Sequence, residues 1–177
     1  NSIAHQDYEL NGRINVVEFP DKLVISNVGD FLAGDIEEII KRDSPLENYR
    51  NNFLCKVMVE VNMIDTIGSG IKRMFSIQKS RFFPMPDFLI ENKRVQVTIY
   101  GKILNERYTK LLASNPDISL IDVIYLDRVA KNYPIDDKSI TELKSKGLIE
   151  GRKPNIHISA KVSIATDQIS KYIKFRV

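Results

Sequence analysis

"DKLVISNVGDFLAGDIEEIIKR" runs from Asp21 to Arg42 and packs three signals into one stretch. Residues 21–27 are β-rich, with β-branched and apolar side chains crowded together. Residues 27–35 are punctuated by glycine and read as a loop. From Asp35 the pattern turns helical. Asp35 is placed to cap the helix, and Glu37 and Glu38 fall in its first turn, where carboxylates oppose the positive end of the helix dipole. A strand that hands over to a helix through a glycine loop is the joint of a mixed domain.

Working outward gives the rest of the first half. "RINVVEF" (13–19) is a second β-rich run, separated from the first by Pro20-Asp21, so the two predict a hairpin with Val16, Phe19, Leu23 and Ile25 on one buried face. "SPLENYRN" interrupts the helix that starts at Asp35. "NNFLCKVMVEVNMI" (51–64) sets Phe53, Leu54, Val57, Met58, Val61 and Ile64 at helical spacing. "GSG" (68–70) then opens a helix over 71–80. The prolines of "FFPMPDF" (82–88) predict extended chain, and "RVQVTIY" (94–100) alternates like a strand. This half reads as α+β. "NSIAHQDYELNG" (1–12) reads as the end of a helix running into the first strand.

After Gly101 the texture changes. Helices are predicted over 105–116, 119–134 and 136–151, the third capped by Asp136 or Asp137 and stopped at Gly147. "LIEGRKPNIHIS" (148–159) reads as two short strands around a basic turn, and 160–175 as a further helix. Three short helices followed by a hairpin is the order of a winged helix-turn-helix. The division falls at 1–101 and 102–177. Ile140 and Leu143 would face the core. Lys138, Ser139, Thr141, Glu142, Lys144 and Ser145 would lie on the exposed side, with Arg152 and Lys153 at the wing tip. Of these, Lys138, Ser139, Thr141, Lys144, Arg152 and Lys153 are the candidate contacts to double-stranded DNA, since cations on phosphates release counterions. Winged helices also serve as protein-docking or dimerisation modules, and acids at 136, 137, 142 and 150 interrupt the surface.

Composition bounds these readings. The chain has 177 residues, 43% hydrophobic and 28% charged, as in globular proteins. No apolar run reaches the ~18–20 residues of a membrane helix. The net charge of +3 is uneven: residues 1–100 sum to −2 and residues 101–177 to +5, which suits a polyanionic partner for the second half. A single cysteine, Cys55, excludes a disulfide framework and a cysteine-built zinc site. Set among apolar residues it reads as a buried, inert thiol rather than a nucleophile, and it fits a reducing, cytoplasmic location. The two histidines, His5 and His157, fall in different halves, so no metal site is expected. No catalytic residue is assigned. His5 and Asp7 are open to two readings, a general base pair or polar groups that fix the turn between helix and strand.

Three pieces taken together carry a resemblance: "NSIAHQDY" (1–8), "LVISNVGDFLAGD" (23–35) and "GSGIKRM" (68–74). In order and spacing they resemble the C-terminal region of the RecG-like transcriptional regulators, labelled RecG-related ATP-dependent DNA helicases although they look unlike helicase motors. The family pattern runs N-A-x-x-H-R-D-Y, I-S-N-P-G and G-S-G-I-x-R-M. The resemblance implies an incomplete, degenerate GHKL-type α/β sandwich ATPase domain over about residues 1–100. It extends into the basic half, so a winged helix-turn-helix is expected to follow. The function implied is a DNA-binding regulator, with the ATPase-like domain as a regulatory or dimerising platform and a homodimer as a further partner state.

The same resemblance names a nucleotide site. In a GHKL ATPase a helix supplies a catalytic Glu and, a turn later, an Asn for Mg²⁺. Asn1 matches that Asn, and the Glu position lies before residue 1. The chain is therefore expected to be cut inside the motif, with an AlbA-like nucleic-acid-binding domain preceding it in the intact protein. Asn27 stands where active members have an adenine-reading Asp, followed by Gly29, and Gly68 and Gly70 match the third motif. Gln6 replaces the Arg of H-R-D-Y. A lone GSG brings backbone N–H groups to a phosphate or makes an ordinary tight turn. ATP with Mg²⁺ is thus the candidate cofactor of the intact protein, and an ATP-hydrolysing GHKL protein is the alternative function.

Overall fold

The computed structural model describes residues 1–32, 34–41, 49–64 and 70–159. Two compact units form. The first comprises Asn1–Phe75 with Pro86–Gly101, and the second takes Ser76–Met85 with the chain from Lys102 onward.

The first unit is a four-stranded antiparallel sheet with helices over one face. Its elements are α1 (Ser2–His5), β1 (Asn15–Glu18), β2 (Lys22–Val28), α2 (Ile36–Lys41), α3 (Asn52–Glu60), the start of α4 (Gly70–Ser80), β3 (Asp87–Glu91) and β4 (Arg94–Tyr100). The sheet order is β1-β2-β4-β3. Register pairs Leu23 with Ile99, Ile25 with Val97 and Asn27 with Val95, so these six side chains share one face. Asp35 accepts N–H bonds from Glu37 at 2.7 Å and Glu38 at 3.2 Å, capping α2 as its sequence suggests.

Three sequence expectations are corrected here. The hairpin forms, but Val16 and Phe19 are exposed rather than buried. The reason is topological: β1 is an edge strand and, among the described residues, has no neighbour on its outer side. On α3 the buried side chains are Cys55 and Met58, which pack with Ala4 of α1, while Phe53, Val57 and Val61 face outward. Strand β3 was not anticipated. Its signal was the Asn92-Lys93 pair, both with positive φ (49° and 56°), closing a two-residue hairpin between Glu91 and Arg94.

The second unit holds α5 (Glu106–Ser114), α6 (Leu120–Ala130), α7 (Asp137–Ser145) and a hairpin of β5 (Ile149–Glu150) and β6 (His157–Ile158). Each helix opens on a side-chain cap: Asn105, Ser119 and Asp136 accept from Tyr108, Asp122 and Ser139 N–H. Helix α7 ends in a Schellman turn. Gly147 N–H reaches Lys144 O and Leu148 N–H reaches Leu143 O, with Gly147 at φ 68°, where a side chain would be strained. The core includes Leu111, Leu112, Val123, Leu126, Ile140, Leu143 and Ile149. Residues 76–85 belong here because they are bonded here. Thr109 Oγ1 donates to Phe82 O, Met85 N–H donates to Asp127 Oδ1 at 2.9 Å, and Lys131 Nζ reaches both Met85 O and Asp127 Oδ2 at 2.7 Å. The helix expected over 160–175 lies outside the described residues.

Candidate functional site

The sheet face of the first unit closes against α1 and α4 around a cavity of about 520 Å³. Its floor is Ile25, Asn27, Val95, Val97 and Ile99, and its walls include Met74 of α4 and His5 of α1. Three of the nucleotide candidates, Asn1, Asn27 and Gly70, line it together. Asn1 and Gly70 are immediate neighbours: a Cβ on Gly70 would lie 3.2 Å from Asn1 Nδ2. Gly29 does not line the cavity. Gly68 lies outside the described residues.

A polar frame holds the α1–β1 turn. Gln6, which stands where the resemblance expects Arg, is buried; its Oε1 accepts from Val28 N–H at 2.9 Å and its Nε2 donates to Gly12 O at 3.0 Å. Asn51 Nδ2 donates to the carbonyls of Ala4 and Gln6. Arg50 pairs with Asp7 at 3.0 Å and donates to Asp30 O at 3.1 Å. Gly29, at φ 129°, lets this arginine approach: a Cβ there would stand 3.1 Å from Arg50 Nε and 3.2 Å from Asp7 Cβ. Sequence reading passed over Arg50 and Asn51. Their signal was two adjacent polar side chains, one cationic, inside a stretch that breaks the helical pattern.

His5 and Asp7 do not make a pair. The carboxylate of Asp7 takes Arg50 and Glu9 N–H, while His5 stacks on Tyr49 with ring centroids 5.5 Å apart. Burial above all, with Arg50 adding to it, pulls the His5 imidazole below its usual range, so it is neutral near pH 7. Cys55 is buried in the α1–α3 contact, and burial raises its thiol. Both facts fit structural roles.

The residues present can be tested against Mg²⁺–ATP. A base ring fits the apolar floor, where the Asn27 amide supplies a polar point. For the phosphate end the described residues supply no basic side chain. Among the described lining residues the one charged side chain is that of Asp30, and none is Lys or Arg. Asn1 and the first turn of α4 offer a neutral amide and a partial positive charge, against a polyanion that needs full charge compensation once desolvated. No step through ATP is derived from this site.

In the second unit, the DNA candidates Lys138, Thr141, Lys144, Arg152 and Lys153 are all exposed. Ser139 is not: it is 5% exposed, and its hydroxyl donates to Asp136 Oδ2 at 2.6 Å. Those bonds hold the Asp136 carboxyl below its usual range. Ser139 belongs to the helix cap and drops out of the surface set. Lys153 Nζ lies 2.7 Å from Asp137 and Lys138 Nζ 4.0 Å from Glu142.

An antiparallel sheet packed under helices around a cavity of this kind defines an ATPase-like α/β domain. Residues 11–99 match the family described as "Putative ATP-dependent DNA helicase recG C-terminal", and the chain belongs to that family. The fold is also similar to the crystal structure of the DIP2311 protein from Corynebacterium diphtheriae, with a TM-score of 0.52 at 17% identity over 96% of this chain. The chain spans 40% of the length of that protein. No curated protein matches it. Among the described residues, no helix is long and apolar enough to cross a membrane, and no cluster of three metal-ligating side chains occurs.

Proposed function

We propose that the chain is a DNA-binding regulatory module. Its second unit is a winged helix that sets α7 in the major groove of double-stranded DNA, with β5–β6 as the wing. Its first unit is an ATPase-like platform for regulation or dimerisation. The observation that carries this reading is the division of labour on α7. Ile140 and Leu143 are buried, while Lys144 of the helix and Arg152 of the wing are exposed and carry no ion pair among the described residues. Lys138 and Lys153 are near acids and add less.

The test is fluorescence anisotropy of a labelled duplex over about 50–200 mM salt. Two phosphate contacts give a slope of log K against log salt of about −1.8, and four give about −3.6. Lys144→Ala with Arg152→Ala is expected to flatten the slope by about two contacts. Absence of binding at 50 mM salt would refute the DNA reading and leave a protein-docking module.

A further inference from the structure

We infer that Glu142 is the residue through which α7 reads sequence: its carboxylate accepts from the exocyclic amine of a cytosine in the major groove, and so selects a C·G pair at a fixed position of the site. The inference rests on the reading above that α7 enters the groove, and it names what the helix looks for there.

Three observations carry it. The first is position. Ser139, Ile140 and Leu143 turn to the core, so the opposite side of α7 is the stripe Lys138, Thr141, Glu142 and Ser145, spaced i, i+3, i+4 and i+7, and all four are exposed. The second is hydrogen-bond polarity. Thr141 Oγ1 donates to Asp137 O and Ser145 Oγ to Glu142 O, both at 2.8 Å, so each hydroxyl spends its proton on the helix and keeps its lone pairs for a partner. With the Glu142 carboxylate, three neighbouring side chains of the stripe present acceptors. The third is that the helix itself gains little from the acid. Glu142 follows Lys138 by four residues, the less favourable order, and the two exposed side chains stand 4.0 Å apart. An acid at the centre of a surface that meets phosphates costs affinity unless a donor lies opposite it. In the major groove the base donors are the amines of cytosine and adenine. Adenine sets its amine beside the N7 acceptor, which repels a carboxylate, whereas cytosine has no acceptor on that edge. The short side chains of Thr141 and Ser145 let a base edge approach Glu142.

The experiment is selection of duplexes from a random pool by the whole chain, followed by fluorescence anisotropy of the selected duplex and its single-pair variants. The unaltered chain is expected to fix a cytosine at one position, and changing that C·G pair to T·A is expected to weaken binding by about fivefold or more. Glu142→Gln is expected to move the preference there to adenine, whose N6 and N7 match the donor and acceptor of an amide. Glu142→Ala is expected to accept all four pairs at that position within about twofold. Lys144→Ala, by contrast, is expected to weaken every duplex alike, as loss of a phosphate contact does. If Glu142→Ala tightens every duplex by one factor and keeps the cytosine preference, the proposal is overturned and Glu142 is a repulsive surface charge. An unchanged preference in Glu142→Gln overturns it too. Binding without any base preference ends this inference alone, whereas no binding to any duplex at about 50 mM salt ends the DNA reading and this inference with it.

Discussion

Helices α3 and α6 are similar in length and opposite in character. Seven of the eleven residues of α6 are buried, two of them acids, and each acid has a lysine on it: Lys131 on Asp127 and Lys146 on Asp122, both at 2.7 Å. Helix α3 buries Cys55 and Met58 and leaves Phe53 82% exposed, with Val57 and Val61 outward beside it. The second unit is organised around a filled core in which even the charges are compensated. The first is organised around a cavity, so its helices have less to pack against and its order comes from side-chain bonds to backbone. Substitutions should therefore hurt the two units by different mechanisms.

The largest effect is expected in the second unit. Asp127→Ala takes the carboxylate from Lys131, whose side chain is 9% exposed, and removes the acceptor for Met85 N–H. Removing one partner of a buried pair costs about 3–5 kcal/mol. Urea unfolding followed by circular dichroism should show that loss. A change under 1 kcal/mol would mean that water reaches this cluster and that the filled-core description of α6 is wrong.

A smaller effect tests the frame of the first unit. Asn51→Ala removes the amide that donates to the carbonyls of Ala4 and Gln6, for a loss of about 1–3 kcal/mol. Hydrogen exchange should show amides of β2 and α3 losing protection while those of α6 keep theirs. Equal loss in both would mean the two units do not hold their stability separately.

How much of this was legible follows the same contrast. Where local chemistry decides, the sequence was readable: the caps at Asp35 and Asp136, the stop at Gly147, the strand at 94–100. The caps depend on a side chain bonding to backbone two or three residues away, the stop on a glycine at positive φ, and the strand on its own alternation. Where burial depends on which element lies opposite, it was not. Val16 has the alternation of a core strand and is exposed because β1 is an edge. Phe53 and Val57 have the spacing of a core helix and are exposed because no described element covers that face. The candidate site was half legible. Asn1, Asn27 and Gly70 stood out by motif and meet in one cavity. Gly29 stood out for the same reason, yet its conformational freedom serves the approach of Arg50, a residue no motif flagged. Ser139 reads from the sequence as one of the exposed polar side chains of α7, but its hydroxyl is used by the cap.

The smallest effect is the sharpest test of the comparison. Phe53→Ser removes a large aromatic side chain, and in the core of α6 such a change would cost several kcal/mol. At 82% exposure Phe53 has little burial to lose, so stability should move by no more than about 0.5 kcal/mol. The midpoint of urea unfolding, taken at two protein concentrations, reads it. A loss above 1 kcal/mol at both concentrations would mean the α3 face is covered within the chain, and the contrast with α6 would collapse. A loss seen at high concentration and absent at low would mean that association covers it, because a bound partner stabilises by mass action. The face would then be apolar because it is an interface, and the dimerising part of the platform would have a location.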